Sequence, residues 1–414
     1  MKRMAALLLC LVILFSLCGC TSLYERSYSS VKAHQTQAAS DEDASILRAE
    51  TYADIVSCVQ HYVSLGQSTG TIHVYQYSGD IGADLHNACQ EVITEDPLGA
   101  YAVSGITFEY TRIVSYYECT FSFTYSRTLD EIASIVNVYG YGSIRDRITS
   151  ALQSYAPILT LQTLAFYADR SKLLSLVQEA YYASPATAMG YPEVSISMYP
   201  DSGDVRIVEL SFSYRPSRQT LLSRAESVAS TAAQLVGQDT AADATVAWLL
   251  YSRLMDQTTY EPTGSSGVYQ ALCSGNADSE GIALAYATLC DYAGISCSII
   301  RGTLDGTPHC WNLITLDNTS WQLDLTREDS ENAFLHNDEV MVLLGYNWSQ
   351  EDTPACDGEE YLPEAVIPAV PVESADVEIT PDPVNDEPEA IEDQPAAEAP
   401  SEPEGTNSDV EPEA

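Results

Sequence analysis

Apolar residues between positions 46 and 240 recur with two periods, one typical of helices and one typical of strands. Spacing close to 3.6 residues predicts helices over 46–65, 80–93, 143–155, 170–183 and 219–235. Alternation of apolar and polar residues predicts strands over 71–77, 103–113, 116–125, 158–166, 193–199 and 205–214. This mixture of elements predicts an α+β fold.

The same order of elements occurs twice along this region. Gln90-Glu91 matches Gln178-Glu179 at a distance of about 88 residues, and residues 121–125 match residues 210–214 at nearly the same distance. We therefore predict two copies of a β-α-β-β-α unit. The first copy spans 46–140 and the second spans 141–240.

Beyond residue 240 the pattern changes to one apolar helix followed by short strands. Ser279 precedes a helix predicted over 280–292, which Gly294 is placed to end. Strands are predicted over 296–301, 309–316 and 321–325, with the turn residues Asp305-Gly306 and Asp317-Asn318 between them. In a paired hairpin, His309 and Asp324 would lie side by side, with the start of the helix packed opposite them.

Three short sequences in this region carry the candidate chemistry. They are Ser279-Glu280-Gly281-Ile282-Ala283, His309-Cys310-Trp311-Asn312 and Trp321-Gln322-Leu323-Asp324-Leu325-Thr326. In this order and spacing they resemble the catalytic core of the transglutaminase-like superfamily, which has a papain-type fold. The resemblance implies a domain over 241–350, with His309 as the base and Asp324 as the acid that orients it. The family has a cysteine as nucleophile, and Ser279 occupies that position here.

This substitution leaves two interpretations of the activity. Acyl chemistry needs a nucleophile, a base within hydrogen-bond reach and a group that orients the base. A helix N-terminus favours a cysteine thiolate, whereas a serine hydroxyl has no accessible anion near neutral pH. We therefore predict a non-catalytic domain that binds a peptide, a cell-wall fragment or a partner protein. The alternative is an active acyl hydrolase, transferase or protease that uses Ser279, or Cys273, with His309 and Asp324.

The cysteines offer few other candidates. Cys273 precedes Ser279 by six residues and reaches the site only if residues 274–278 fold back. Cys310 follows His309 on a strand, so alternation directs its side chain to the opposite face. Eight cysteines follow Cys20, which permits disulfides without establishing any. The chain has no Cys-x-x-Cys pair and its histidines are scattered, so we predict no metal site and no cofactor.

The first residues predict export and lipid attachment. Lys2 and Arg3 precede an apolar run over 4–15, and Leu17-Cys18-Gly19-Cys20 follows. This pattern resembles the bacterial lipoprotein signal, which implies a signal peptide over 1–19, a lipid on Cys20 and a polar tether over 20–45. An ordinary signal peptide is the alternative. The lipid would anchor an extracytoplasmic protein to the cell membrane.

Charge restricts the partners of this chain. The formal net charge is −41, and residues 351–414 contain 21 acidic residues with no lysine or arginine. Phosphate backbones would be repelled, so nucleic acid is a poor partner and we predict that the chain binds none. Residues 360–414 are rich in Pro, Glu and Ala and almost without aromatic residues, so we predict a disordered acidic tail.

Overall fold

The computed structural model describes residues 39–40, 46–164, 169–239, 243–327, 334–351 and 353–358. The predicted signal peptide, most of the tether and the predicted acidic tail over 360–414 lie outside the described residues. The described residues contain both helices and strands, as the α+β prediction requires.

Residues 39–40 and 46–125 form a five-stranded sheet with helices packed against it. The strands are β1 (Ala39–Ser40), β2 (Ile46–Ala49), β3 (Thr69–Tyr75), β4 (Val103–Ile113) and β5 (Tyr116–Tyr125). Their order in the sheet is β1-β2-β3-β5-β4, with β2 parallel to β3 and the other neighbours antiparallel. The helices are α1 (Tyr52–Ser64), α2 (Ile81–Thr94) and α3 (Pro97–Ala102).

The helix predicted over 46–65 is wrong at its beginning, because Ile46–Ala49 is strand β2. Thr51 caps α1: its side chain accepts a hydrogen bond from the Asp54 N–H, and the Asp54 carboxylate accepts one from the Thr51 N–H. Such a reciprocal cap fixes where a helix begins. The residues before it are therefore available to pair with β3.

A second sheet has the same strand order and directions as strands β2 to β5. It contains β6 (Val136–Val138), β7 (Ile158–Thr163), β8 (Glu193–Tyr199) and β9 (Arg206–Ser213), arranged β6-β7-β9-β8. Only β6 and β7 are parallel. The helices here are α4 (Leu129–Ala133), α5 (Tyr141–Gln153), α6 (Arg170–Tyr182) and α7 (Arg218–Val236), with a 3₁₀ turn at Pro185–Thr187.

Both regions follow the order β-α-β-α-β-β, which corrects the predicted β-α-β-β-α unit. The strand missing from the prediction is β2 in the first region and β6 in the second. These strands have four and three residues, too few to show alternation in the sequence. That the two regions arose by duplication stays a prediction.

The third sheet supports the candidate site. Helices α8 (Ala244–Gln257) and α9 (Ser279–Ala293) precede it, with a π-helical turn at Gln270–Ser274 and a short parallel pair of β10 (Thr259–Tyr260) and β11 (Asn276–Ala277) between them. The sheet has the order β14-β13-β12-β15, all antiparallel. Its strands are β12 (Ser296–Leu304), β13 (Thr307–Leu316), β14 (Thr319–Leu323) and β15 (Tyr346–Trp348), and helix α10 (Asp338–Leu343) precedes β15.

The hydrophobic cores do not follow the three sheets one to one. The first sheet and its helices have a core of their own, with Ile55, Leu85 and Phe121 at its centre. A second core is continuous from Val138 in β6 to Leu335, so the second sheet and helix α9 share it. The position of the site is therefore fixed by packing from both regions.

Candidate functional site

Helix α9 begins at the candidate nucleophile position. Asp278 caps the helix, and its Oδ1 accepts a hydrogen bond from the Gly281 N–H at 2.9 Å. Ser279 is the first helical residue and is 9% exposed. Its hydroxyl oxygen accepts a hydrogen bond from the Cys310 backbone N–H at 3.2 Å. Ser279 therefore joins the start of α9 to strand β13, which carries His309.

His309 and Asp324 form a buried pair. Nε2 of His309 lies 2.8 Å from Oδ2 of Asp324, and the two side chains are 5% and 2% exposed. An ionised carboxylate only accepts hydrogen bonds, so Nε2 carries the proton and Nδ1 is the basic nitrogen in the neutral ring. Asp324 lies just after β14 rather than within the predicted strand over 321–325, because β14 ends at Leu323.

Three further donors hold the carboxylate of Asp324. The Thr326 N–H and hydroxyl donate to Oδ1 at 2.9 and 2.8 Å, and the Tyr346 hydroxyl donates to Oδ2. Burial by itself would raise the pKa of Asp324. The hydrogen bond and charge of His309, together with the bonds from Tyr346 and Thr326, outweigh burial and hold this pKa below its ordinary value. Asp324 is therefore a fixed anion that orients the imidazole.

The three predicted triad positions lie in one region, but their hydrogen bonds do not connect all of them. His309 is bonded to Asp324 and Thr326, and Ser279 is bonded to Cys310. Within the described part of the chain, no hydrogen bond joins the Ser279 hydroxyl to the His309 ring. A general base acts on a nucleophile within hydrogen-bond reach. The bond that orients the base, between His309 and Asp324, is therefore formed. The bond through which the base would activate Ser279 is not formed among the described residues.

Ser279 and His309 line one open cleft of about 530 Å³. Glu280 and Tyr182 form part of its wall, and the Tyr182 hydroxyl donates to Glu280 Oε1 at 3.0 Å. Burial chiefly, and then the charge of Asp278, raise the pKa of Glu280, against the lowering effects of Tyr182 and Arg301. Tyr182 lies on α6, so the second sheet region forms part of this cleft.

Two cysteines lie close to Ser279 in the sequence or in the structure, Cys273 and Cys310. Alternation along β13 places the side chain of Cys310 on the face opposite that of His309, and Cys310 also lines the cleft. Burial and the charge of Glu280 raise the pKa of Cys310 to about 12, so its thiol stays protonated. The sulfur of Cys273 lies 3.6 Å from Thr231 Oγ1 on α7, and Cys273 is not among the described residues that line the cleft.

Sequence reasoning missed several residues of the site. Tyr346 reaches Asp324 from a strand that begins 22 residues later, and Tyr182 comes from the predicted second unit. Neither contact leaves a local pattern. The contact of Thr326 could have been predicted from the sequence. An aspartate side chain often accepts a hydrogen bond from the backbone N–H two residues later in a turn, as Asp324 does from Thr326.

The remaining predictions about attachment and metals are only partly covered by the structure. Cys20, the predicted lipid site, lies outside the described residues. No helix in the described ranges has both the length and the apolar composition to span a membrane. Within the same ranges, no three His, Cys, Asp or Glu residues are grouped so that they could hold a metal ion. The eight cysteines that the structure describes are all free thiols.

Comparison with known proteins gives weak similarities. No family model matches the chain, and no curated protein does. Among solved structures, a transglutaminase ("TGase") is 10% identical, with a TM-score of 0.26 over 44% of this chain and 54% of that one. A candidate cysteine protease from Cytophaga hutchinsonii is 10% identical, with a TM-score of 0.23 over 34% of this chain and 65% of that one. A candidate protease from Parabacteroides distasonis ATCC 8503 is 8% identical, with a TM-score of 0.21 over 62% and 43%.

In each case the match covers less than two thirds of the solved protein. The neighbours belong to transglutaminase-like and cysteine-protease folds.

Proposed function

We propose that residues 241–350 are a non-catalytic, transglutaminase-like binding domain of a lipid-anchored extracytoplasmic protein. The cleft at the start of α9 binds a peptide segment of a protein or of the cell wall. The observation that carries this proposal is the hydrogen bond from the Cys310 N–H to the Ser279 hydroxyl. It uses the candidate nucleophile as a structural bridge, with no bond to the imidazole.

The electrostatics of the cleft support the same proposal. Asp278 and Glu280 flank Ser279 with acidic side chains, and negative charge disfavours formation of a second anion beside them. These two carboxyl groups oppose the stabilisation that the N-terminus of α9 and Arg301 would give to an anion at Ser279. The anchor at Cys20 and the extracytoplasmic location are proposals from the signal-like residues 1–20, and they need no contact of the acidic domain surface with lipid.

One experiment separates binding from catalysis. The full chain is treated with a fluorophosphonate and, separately, titrated with an N-acetylated hexapeptide of alternating serine and valine. We expect no adduct on Ser279 by intact mass, no cleavage of the peptide, and a shift of the His309 imidazole signals, assigned with His309→Gln. A covalent adduct on Ser279 would overturn the proposal.

The second candidate function is a serine acyl hydrolase, which the intact His309–Asp324 pair favours. It requires turnover of the hexapeptide or of an acyl ester. That turnover would disappear in Ser279→Ala and persist in Ser223→Ala, which alters an exposed serine on α7. Equal turnover in both variants would exclude Ser279 as a nucleophile.

A further inference from the structure

Strand β12 is fully paired along one edge and only partly paired along the other. On one side β13 pairs with the whole strand, from Ser296 to Leu304. On the other side β15 pairs only with Gly302–Leu304. Among the described strands, none pairs with Ser296–Arg301 on that side. Such an edge presents backbone groups to which an extended chain can add.

The direction of these backbone groups follows from the pairing with β15. The Asp305 N–H donates to the Gly345 carbonyl at 3.0 Å, on the side of β15. N–H and C=O groups alternate between the two edges along an antiparallel strand. The backbone groups of Ile299 and Cys297 therefore point to this same edge, beyond the end of β15.

A groove of about 530 Å³ lies beside this stretch of β12. Ile299 and Arg301 form one wall, and Ser175 and Gln178 of α6 form the other. The groove adjoins the cleft at the start of α9, because Tyr182 and Arg301 line both. An extended chain therefore has room along the edge and ends next to the candidate site.

Arg301 is a cation at this junction, close enough to Glu280 that its charge acts to lower the pKa of that carboxyl group. Although the chain has 59 acidic residues, no described ion pair involves Arg301. Its guanidinium lies 5.0 Å from the Tyr182 ring centroid, and Nη2 donates to Gln178 Oε1 at 2.7 Å. These contacts fix the plane of the group and use one donor. A fixed guanidinium binds a carboxylate through two parallel N–H groups.

We propose that the unpaired edge of β12 binds the C-terminal end of an extended peptide, with its main chain beside Cys297–Arg301 and its terminal carboxylate on Arg301. Strand β15 occupies the edge from Gly302 onward, so pairing of an added strand stops at Arg301. The guanidinium of Arg301 favours a carboxylate, and hence a C-terminus, as the group at that end. This inference rests on the proposed binding function and names its ligand: a peptide recognised by its free C-terminus.

The first test compares two forms of the serine–valine hexapeptide, both N-acetylated, one with a free C-terminal carboxylate and one amidated. We expect the carboxylate form to bind the full chain about tenfold more tightly, as a charge-assisted pair predicts. NMR titration should shift the amide signals of Cys297, Ile299 and Arg301. In Arg301→Gln the two peptides should bind equally.

Arg224→Gln is the matched control, because the Arg224 guanidinium also lies over a tyrosine, at 4.8 Å from the Tyr269 ring centroid, on a different surface. It should retain the full preference for the carboxylate. Thermal unfolding checks that both variants fold. Equal binding of the two peptides to the wild-type chain, no binding of either, or an equal loss of preference in both variants would overturn the inference.

The second test addresses the backbone. The carboxylate peptide is N-methylated at its odd-numbered residues in one version and at its even-numbered residues in another. Only one of the two versions should bind more weakly, because only every second N–H of an added strand faces β12. An equal loss of binding in both N-methylated peptides would contradict strand addition. If the peptide shifts the His309 signals and leaves those of Cys297 and Ile299 unchanged, the binding function stands and the β12 site is wrong.

Discussion

At the scale of single residues, the hydroxyl of Ser279 has a structural task. It satisfies the Cys310 N–H at the edge of β13, where β14 has already ended. A buried N–H without an acceptor loses its solvation and gains nothing in return. The Ser279 hydroxyl oxygen, which would be the attacking atom in a catalytic serine, therefore helps to hold α9 against the sheet.

We expect Ser279→Ala to lower the free energy of unfolding by about 1–3 kcal/mol, because the Cys310 N–H loses its acceptor. Urea denaturation monitored by circular dichroism measures this change. Ser223→Ala, which alters an exposed serine, should stay within about 0.5 kcal/mol of the wild type. Equal stability of Ser279→Ala and the wild type would show that this hydrogen bond contributes nothing to the free energy of unfolding.

The Asp324 carboxylate should leave a signature in acid. Its pKa is lowered in the folded state, so its contribution to stability is complete above the unfolded value of about 3.9 and is lost as pH falls through the folded pKa. Asp324→Asn removes this contribution. The wild type should therefore be the more stable protein at pH 7, and the difference should shrink in strong acid.

Urea denaturation of both proteins between neutral pH and about pH 2 tests this prediction. Asp146→Asn is the control, because the Asp146 side chain is 76% exposed. It should not alter the dependence of stability on pH. A difference between wild type and Asp324→Asn that stays constant down to the lowest pH would contradict a lowered pKa.

At the scale of elements, the third sheet depends on a close contact between β12 and β15. A Cβ atom on Gly302 would lie 2.2 Å from the Asn347 carbonyl oxygen and 2.7 Å from Trp311. A backbone oxygen cannot move aside as a flexible side chain does. Gly302 therefore permits β15 to pair, and β15 brings Tyr346 to Asp324.

We expect Gly302→Ala to destabilise the protein by about 1–3 kcal/mol or more, since it overfills a packed contact. Gly105→Ala is the matched control, because a Cβ at Gly105 in β4 meets nothing within 4 Å. Thermal unfolding of both variants measures the effect. The Tyr346 contact should also weaken, and the NMR signals of the His309 ring should shift in Gly302→Ala alone.

Local patterns in the sequence predicted those elements whose information is local. The alternation over 103–113 and 116–125 gave the bounds of β4 and β5, and Gly294 ends α9 as predicted. Ser279 was predicted to precede this helix, and it is instead the first helical residue after the cap Asp278. The approach of His309 to Asp324 followed from the hairpin. Strands β2 and β6 were missed because they are too short to show a period, and the contacts of Tyr182 and Tyr346 were missed because they depend on tertiary packing.

At the scale of the whole molecule, repulsion among the many negative charges works against the compact folded state. The net charge is −41, with 18 basic against 59 acidic residues, and 38 of the acidic residues precede position 351, because 21 of the 59 lie in residues 351–414. Like charges on a folded surface repel one another, and salt screens the repulsion over a Debye length of about 10 Å at 0.1 M. Few lysines and arginines are present to compensate.

We therefore expect the melting temperature to rise when salt is added from about 10 mM to about 200 mM, because screening relieves repulsion in the folded state. Differential scanning calorimetry measures the change. Sodium chloride and choline chloride should act equally if screening is the cause. A rise with sodium alone would indicate binding of a specific cation, and a fall in both salts would contradict the argument.

The core shared by the second sheet region and helix α9 constrains how this protein can evolve. Helix α7 of that region packs against α9, so a larger side chain on one helix needs a smaller one on the other. Compensating pairs of substitutions should accumulate across this boundary among descendants of the chain. The first sheet has a core apart from this boundary, and its contact with the second region through Tyr101, Ala102 and Ile207 is smaller, so it can diverge at a faster rate.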